Sequence, residues 1–342
     1  KLVLNNKKTD GYVSMATPPY GPSNGVVPSS VSSNTGLNAI DSKGYKLTLA
    51  YEGDTSSLSF SMDKTDQDNV PPFAQLIYTI PNWSSAFGVG ASAAAGGLKI
   101  APIELFSSPT RLANASNDTR TYETSVVEGV SLTFTQEISM GTVKAIWSKR
   151  ETAWDDHLDL DGSPYNIADT QRHTTYDAET FELQLSGSTD KMDYVVGYYA
   201  LEDDAYTSNP QSFFLGGVSI VQNYSGAGES EAIFGQMTYR FAENWDVTLG
   251  ARSTEEDKEG FKEYVGIISA KGQGSFDDTT GTFILSHDYS DNTNLYFKVA
   301  EGFKAGGFNA ESSNPFAAST PYAPETIQST EFGLKGRYLD NR

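Results

Sequence analysis

The sequence predicts an all-β fold, a transmembrane antiparallel up-and-down β-barrel with about 12 strands visible. Three observations predict it. Apolar and polar residues alternate with period two in arms of about 9 to 11 residues, the length a tilted strand needs to cross a bilayer. Short polar turns alternate strictly with long connections along the chain. Aromatic residues make up 12% of the sequence, yet no apolar run approaches the roughly 18 residues of a membrane helix.

The clearest unit is the hairpin from Thr282 to Gly302. Phe283 and Leu285 alternate with Thr282, Ser286 and Asp288; after the polar turn Ser290 to Thr293 the pattern resumes as Leu295, Phe297 and Val299 against Tyr296, Lys298 and Ala300. One face is apolar and the other polar to small, as a half-buried antiparallel pair requires. The rest of the chain repeats this unit. Lys1 to Lys8 ends a strand, and Thr9 to Ser42 is a polar loop rich in Gly, Pro, Ser and Asn. Gly44 to Tyr51 and Ser57 to Lys64 form a hairpin across Glu52 to Ser56. Ser131 to Ile138 pairs with Val143 to Arg150, Thr180 to Ser186 with Met192 to Leu201, and Ala232 to Phe241 with Trp245 to Ser253. A last strand, Ile327 to Tyr338, runs into the turn Leu339 to Arg342.

Short turns near 52, 140, 188, 243, 291 and 341 alternate with long connections at about 65–128, 151–176, 202–230, 254–279 and 303–325. Outer-membrane barrels put short turns on the periplasmic side and long loops on the extracellular side in this way, whereas a β-sandwich scatters its long loops over both ends. In hydrocarbon every backbone N–H and C=O must be paired within the protein, so the strands are expected to close into a ring. The insertion 65–128 carries Phe73, Tyr78, Trp83, Phe87 and Phe106, more aromatics than a disordered segment holds, and reads as functional.

The formal net charge of −20, from 44 acids against 24 bases, excludes nucleic acid as an expected partner, because phosphate binding needs clustered Lys and Arg. Mean hydropathy of −0.41 fits a barrel whose lumen-facing residues dilute its lipid-facing ones. With no cysteine there is no disulfide framework and no thiolate metal site. The opening KLVLNNKKTD lacks the apolar core and small-residue cleavage site of a signal peptide, so the chain reads as mature or internal.

The segment LYFKVAEGFKAGGFN, followed by YAPETIQSTEFGLKGRYLDNR from Tyr322 to Arg342, resembles the barrel signature of the TonB-dependent outer-membrane receptors. Pro324, Glu325, Glu331, Gly333 and Lys335 carry the second half of the match, and Glu231 to Lys258 is similar to the family's preceding hairpin. The resemblance implies a barrel of about 22 strands with a plugged lumen. Residues 1–342 would then be a partial barrel, with the plug outside this segment.

Candidate residues fall into groups. Trp147, Tyr198, Tyr239, Trp245 and Tyr338 sit near strand ends on the apolar face, where they are expected as an interfacial girdle rather than a ligand platform. Trp154 to Gly162 holds Asp155, Asp156, Asp159 and Asp161; a Ca²⁺ site is one reading, and a solvated acidic loop bridged to lipopolysaccharide is favoured because the closing Glu of an EF-hand is missing. His157, His173 and His287 are not spaced as a metal pair. Gly302, Gly306 and Gly307 are expected to serve backbone conformation at a strand exit. Lys144, Arg150, Glu182, Gln184, Arg240, Arg252, Lys298, Glu331, Lys335 and Arg337 have lumen parity; plug contact is the favoured role, attraction of an anionic ligand the other.

No nucleophile elbow or zincin spacing occurs, so no enzyme activity is expected, and no catalytic, cofactor or metal residue is assigned. Ligand-binding residues are not legible from loop chemistry. The resemblance implies a bacterial outer-membrane active importer of a scarce nutrient, a ferric siderophore-type complex above others, driven by the TonB energiser complex acting on the plug. The alternatives are a carbohydrate, vitamin or aromatic compound as cargo, or an unplugged porin or surface scaffold. Lipid, lipopolysaccharide and other outer-membrane proteins are the remaining expected partners.

Overall fold

The computed structural model describes residues 1–15, 36–72, 74–79, 107–112, 114–115, 121–163, 167–213 and 217–337. Its strands are β1 (Leu2–Thr9), β2 (Ser14–Met15), β3 (Ile40–Glu52), β4 (Ser56–Asn69), β5 (Asn114–Ala115), β6 (Tyr122–Ile138), β7 (Gly141–Asp159), β8 (Ala168–Ser188), β9 (Met192–Phe213), β10 (Val218–Ala242), β11 (Trp245–Tyr264), β12 (Ile268–Ser290), β13 (Thr293–Lys304) and β14 (Glu325–Gly336). Twelve of them form one sheet in the order β1-β3-β4-β6-β7-β8-β9-β10-β11-β12-β13-β14; β2 and β5 make a separate parallel pair of two residues each. Every neighbouring pair in the large sheet is antiparallel and consecutive along that order, the up-and-down topology expected. The edges are β1 and β14, so these twelve strands make an open wall and not a completed ring.

Period two sorts the side chains cleanly. On one face Phe134, Ala145, Leu183, Tyr198 and Ile233 lie side by side across five strands, and on the other Thr133, Ile146, Glu182 and Tyr199 do. The first face is lipid-facing and leaves Leu49, Leu183, Ile233 and Leu249 exposed, as hydrocarbon-contacting residues must be. The short rim is made by tight turns, helped by Asn244 at φ 65 and Gly141 at φ 141.

The opposite rim departs from expectation. The connections foreseen at 151–176, 202–230 and 254–279 are mostly strand: β7 runs on to Asp159, β8 begins at Ala168, and β9 to β12 have 22, 25, 20 and 23 residues. Only residues 160–167, 214–217 and 265–267 connect them. The cause is environmental. Above the lipid the outer face is polar and the inner face is built from polar and small residues such as Thr207, Asn209 and Lys262, so the hydrogen-bond ladder continues while the hydropathy alternation that reveals it stops. Strands about twice the length a bilayer demands therefore project as a tall wall. The described parts of the 70–121 insertion pack beside it, with Val13, Leu37 and Val70 forming a small apolar cluster and Gln75 bonded to Ser108 O (2.8 Å), Thr110 O (2.8 Å) and Leu112 N (2.9 Å). Of the insertion's aromatics, Tyr78 is exposed and the other four lie outside the described residues.

The upper edge of the lipid band can be read from charge. Climbing each strand from its short turn, the first charged residue on the lipid-facing parity is Lys64 on β4, Glu128 on β6, Lys149 on β7, Glu179 on β8, Glu202 on β9, Glu231 on β10, Glu255 on β11, Asp277 on β12 and Glu301 on β13. Followed through the pairing registers, Lys64 lies level with Gln273 on β12 and Glu301 with Gly281, so the boundary slips eight residues (273 to 281) over eight strand steps. One residue of about 3.3 Å per strand spacing of about 4.8 Å corresponds to a tilt of about 35°, the tilt of outer-membrane barrels. The staircase of charges is a flat interface crossing inclined strands.

Candidate functional site

The site lies where the wall rises above that boundary, on the lumen-facing parity. β7 contributes Trp154 and Asp156, β8 Arg172 and Thr174, β9 Thr207 and Asn209, β10 Tyr224, and β11 Lys262 and Tyr264. Register places them in one band: Asp156 is opposite Arg172, Thr174 opposite Thr207, Thr207 opposite Tyr224, and Tyr224 opposite Lys262.

Two cations organise the band, each against aromatic rings. Arg172 Nε lies 3.1 Å from both carboxylate oxygens of Asp156, which is 1% exposed, and the guanidinium Nη2 closes the pair. The Asp156 hydrogen bond holds the Arg172 pKa above its ordinary value. The same guanidinium stands 5.1 Å from the Trp154 ring centroid. Trp154 Nε1 is buried and has no partner among the described residues, an orphan donor of the kind that costs about 1–3 kcal/mol until something accepts from it. Lys262 is fully buried, with Nζ 5.3 Å from the Tyr224 ring, 5.2 Å from the Tyr264 ring and 3.1 Å from Ala310 O. Burial pushes its pKa down, and Glu311 opposes that shift. Burial also raises the Tyr224 phenol, with Glu311 adding to it.

The β13–β14 connection, residues 305–324, folds inward over this band. It is short-helical at Pro315–Ala318, capped by Asn314 Oδ1 accepting from Phe316 N, and it packs on β11 and β12 with Ala318 at 0% exposure. Tyr264 Oη donates to Ser313 O at 2.9 Å.

Comparison with known proteins now decides the family. A family profile described as TonB dependent receptor-like, beta-barrel, matches residues 5–342. The chain belongs to that family. Among solved structures it is similar to the ferric yersiniabactin uptake receptor FyuA from Yersinia pestis, with TM-score 0.73 and 13% identity over 99% of this chain and 47% of that one. It is also similar to the ferric-catecholate import receptor Fiu from E. coli K12 (TM-score 0.62, 12% identity, 100% and 52%) and the siderophore receptor PiuA from Acinetobacter baumannii (0.61, 14%, 89% and 48%). The chain thus spans about half the length of the solved receptors it matches. A search of curated proteins finds no match.

As a TonB-dependent receptor barrel the protein is an outer-membrane protein, and the remaining sequence-derived candidates take their places accordingly. Trp147, Tyr198, Tyr239 and Trp245 all have lipid-facing parity; Trp147 Nε1 donates to Glu179 Oε1 at 2.7 Å at the upper edge, and Trp245 stacks on His287 at 4.2 Å near the short turns. Tyr338 lies outside the described residues. Several of the lumen-parity residues are partnered along the wall itself: Arg150 with Asp63 at 3.3 Å, Arg240 with Asp193, Glu182 with Gln184, Glu331 with Tyr296, Lys335 over the Tyr296 ring at 5.1 Å, and Arg252 over the Tyr199 and Phe234 rings at 5.6 and 5.7 Å.

The acidic cluster Asp155–Asp161 is not brought together. Strand parity sends Asp156 to the lumen and Asp155 outward to His173, while His157 Nε2 and Asp169 Oδ1 meet at 2.7 Å. Asp159 accepts from Asp161 N (3.0 Å) and Gly162 N (2.8 Å); Asp161 accepts from Ser163 N, Ile167 N and Ala168 N at 3.0, 3.2 and 2.9 Å. These carboxylates are spent on closing the β7–β8 connection, and among the described residues no group of three or more His, Cys, Asp or Glu could hold a metal ion. Gly306 and Gly307 have no left-handed φ; they are needed because Tyr322 bridges to Gly307 (N–H to O 2.8 Å) and a Cβ at either would meet Tyr322. Sequence reading missed Trp154, Arg172, Tyr224 and Lys262 as a set, since only the register joins residues this far apart.

Proposed function

We propose that this receptor imports an anionic, iron-chelating small molecule across the outer membrane, using energy delivered by the TonB system. The observation that carries the reading is the inward-facing band above the lipid boundary, where Arg172 and Lys262 lie against Trp154, Tyr224 and Tyr264. Cations set against aromatic faces, Lys262 buried and Arg172 partly exposed, suit a bulky anion better than a neutral sugar. FyuA, Fiu and PiuA, receptors for ferric yersiniabactin, ferric catecholates and siderophores, support the same cargo class by analogy of fold. In this reading the tall wall captures the chelate, the plug blocks the lumen, and pulling on the plug from the periplasm releases it inward. The residues of the wall bind and orient; no covalent chemistry is asked of them. The test is uptake of radiolabelled iron by cells stripped of their own ferric receptors and carrying the full-length protein. Accumulation from a ferric siderophore that ceases when the TonB system is inactivated is expected. Equal uptake of neutral sugars, or uptake indifferent to TonB, contradicts it.

A further inference from the structure

The flap over residues 305–324 does more than cover the wall. Phe308 sits in a socket made of glycines on the lumen face of two neighbouring strands. Gly260 on β11 is directly opposite Gly272 on β12, and Gly274 is the next position on the same face. A Cβ at Gly272 would lie 2.5 Å from Phe308 Cε1, one at Gly260 would be closer still to Phe308, and one at Gly274 would lie 3.5 Å from Phe308 Cζ. Any side chain at the first two positions would expel the ring. The two glycines therefore leave room on the wall for the Phe308 ring, with the Ala318 carbonyl and the Ser319 backbone of the flap beside it.

Lys262 is two residues along β11 from Gly260 on the same face, about 6.6 Å away at strand spacing. Among the described residues it makes one hydrogen bond, to Ala310 O at 3.1 Å, although an ammonium has three donors. It is fully buried, and none of the salt bridges among the described residues includes it. With two tyrosine rings beside it and a single carbonyl as hydrogen-bond acceptor, this buried ammonium is costly for a fold to keep. The flap thus brings to the wall an aromatic ring, from Phe308, and an oxygen acceptor, from Ala310, and seats them in adjacent subsites.

We propose that Phe308 and Ala310 occupy the places of a ligand's aromatic ring and anionic oxygen, so that the glycine slot and Lys262 form a subsite for a phenolate or catecholate ring that opens when the flap lifts. The inference rests on the uptake reading above and deepens it by naming the ligand chemistry. In the closed state the flap competes with cargo. In the open state the Lys262 ammonium gains a charged acceptor in place of a carbonyl, a stronger bond, and Tyr224 and Tyr264 wall the ring.

The test uses full-length receptor in detergent micelles and reads acetylation of Lys262 by mass spectrometry, which needs no transport. Wild-type Lys262 is expected to be protected. Phe308→Ala should raise its labelling about tenfold, matching an opening equilibrium shifted by that factor. Adding dihydroxybenzoate, a ring with anionic oxygens and no iron, or a ferric catecholate should restore protection, while ferric citrate should not. Gly272→Leu, which fills the slot, should abolish that rescue. Continued protection in Phe308→Ala overturns the latch. Unmasking without rescue by the ring compounds, or equal rescue by citrate, overturns the ring-and-anion subsite. Absence of uptake of any ferric chelate by the intact receptor overturns the importer reading instead, and leaves the labelling pattern standing.

Discussion

Lys262, fully buried, and Arg172, partly exposed, show two ways in which the fold treats a charge. Arg172 shares Asp156 and stays charged with a raised pKa, whereas Lys262 is pushed below its ordinary 10.5 by burial, opposed by Glu311. A base with a lowered pKa holds fewer protons in the closed state than in the open one, so the cost of burying it is constant below the lowered value. That cost fades as pH rises from there to 10.5. Flap closure should tighten over this alkaline window. Protease cleavage within residues 309–314 is expected to slow as pH climbs through the alkaline range toward 10.5 in wild type, and to lose that trend relative to its own baseline in Lys262→Met. Parallel pH dependence in both proteins would detach the flap from the lysine.

At the scale of the strand, one residue decides between lipid and lumen. Leu249 faces hydrocarbon and is 48% exposed, while its neighbour Thr248 points inward and meets Thr238 Oγ1 at 2.8 Å. Leu249→Arg is expected to lower stability by about 2–4 kcal/mol in a bilayer, because a guanidinium at that depth has no water to solvate it. Gln236→Arg, on lumen parity, should change it by less than about 1 kcal/mol. Urea unfolding in lipid vesicles reads both, and equal costs would show the parity to be misassigned. This scale was also the most legible from sequence. Every hairpin named from alternation, such as Ala232 to Phe241 with Trp245 to Ser253, is in the sheet with the expected partner. What was hidden was everything above the boundary: Glu255 to Tyr264 and Ile268 to Thr279 are as regularly paired as Leu249 and Phe283, but with polar and small residues on both faces, the buried Lys262 and Gly272 among them, no hydropathy period marks them. The acidic run Asp155–Asp161 misled for a related reason, since its composition suggests one cluster and its strand geometry divides it between two faces.

For the whole molecule, the slip of charges from Lys64 to Glu301 fixes the tilt and the height of the lipid band, and therefore which residues can meet a ligand from outside. Trp154, Arg172, Tyr224 and Lys262 come from four strands and 109 positions of sequence (154 to 262 inclusive) yet share one inward band, something no local motif announces. The central claim is that cargo is bound there. Tryptophan fluorescence tests it most directly, because Trp154 lies in the band and Trp147 lies on the lipid face. Titrating the full-length receptor with a ferric catecholate should quench emission in wild type and Trp147→Phe alike, and Trp154→Phe should lose the saturable component. Saturable quenching that survives in Trp154→Phe and vanishes in Trp147→Phe would contradict the account.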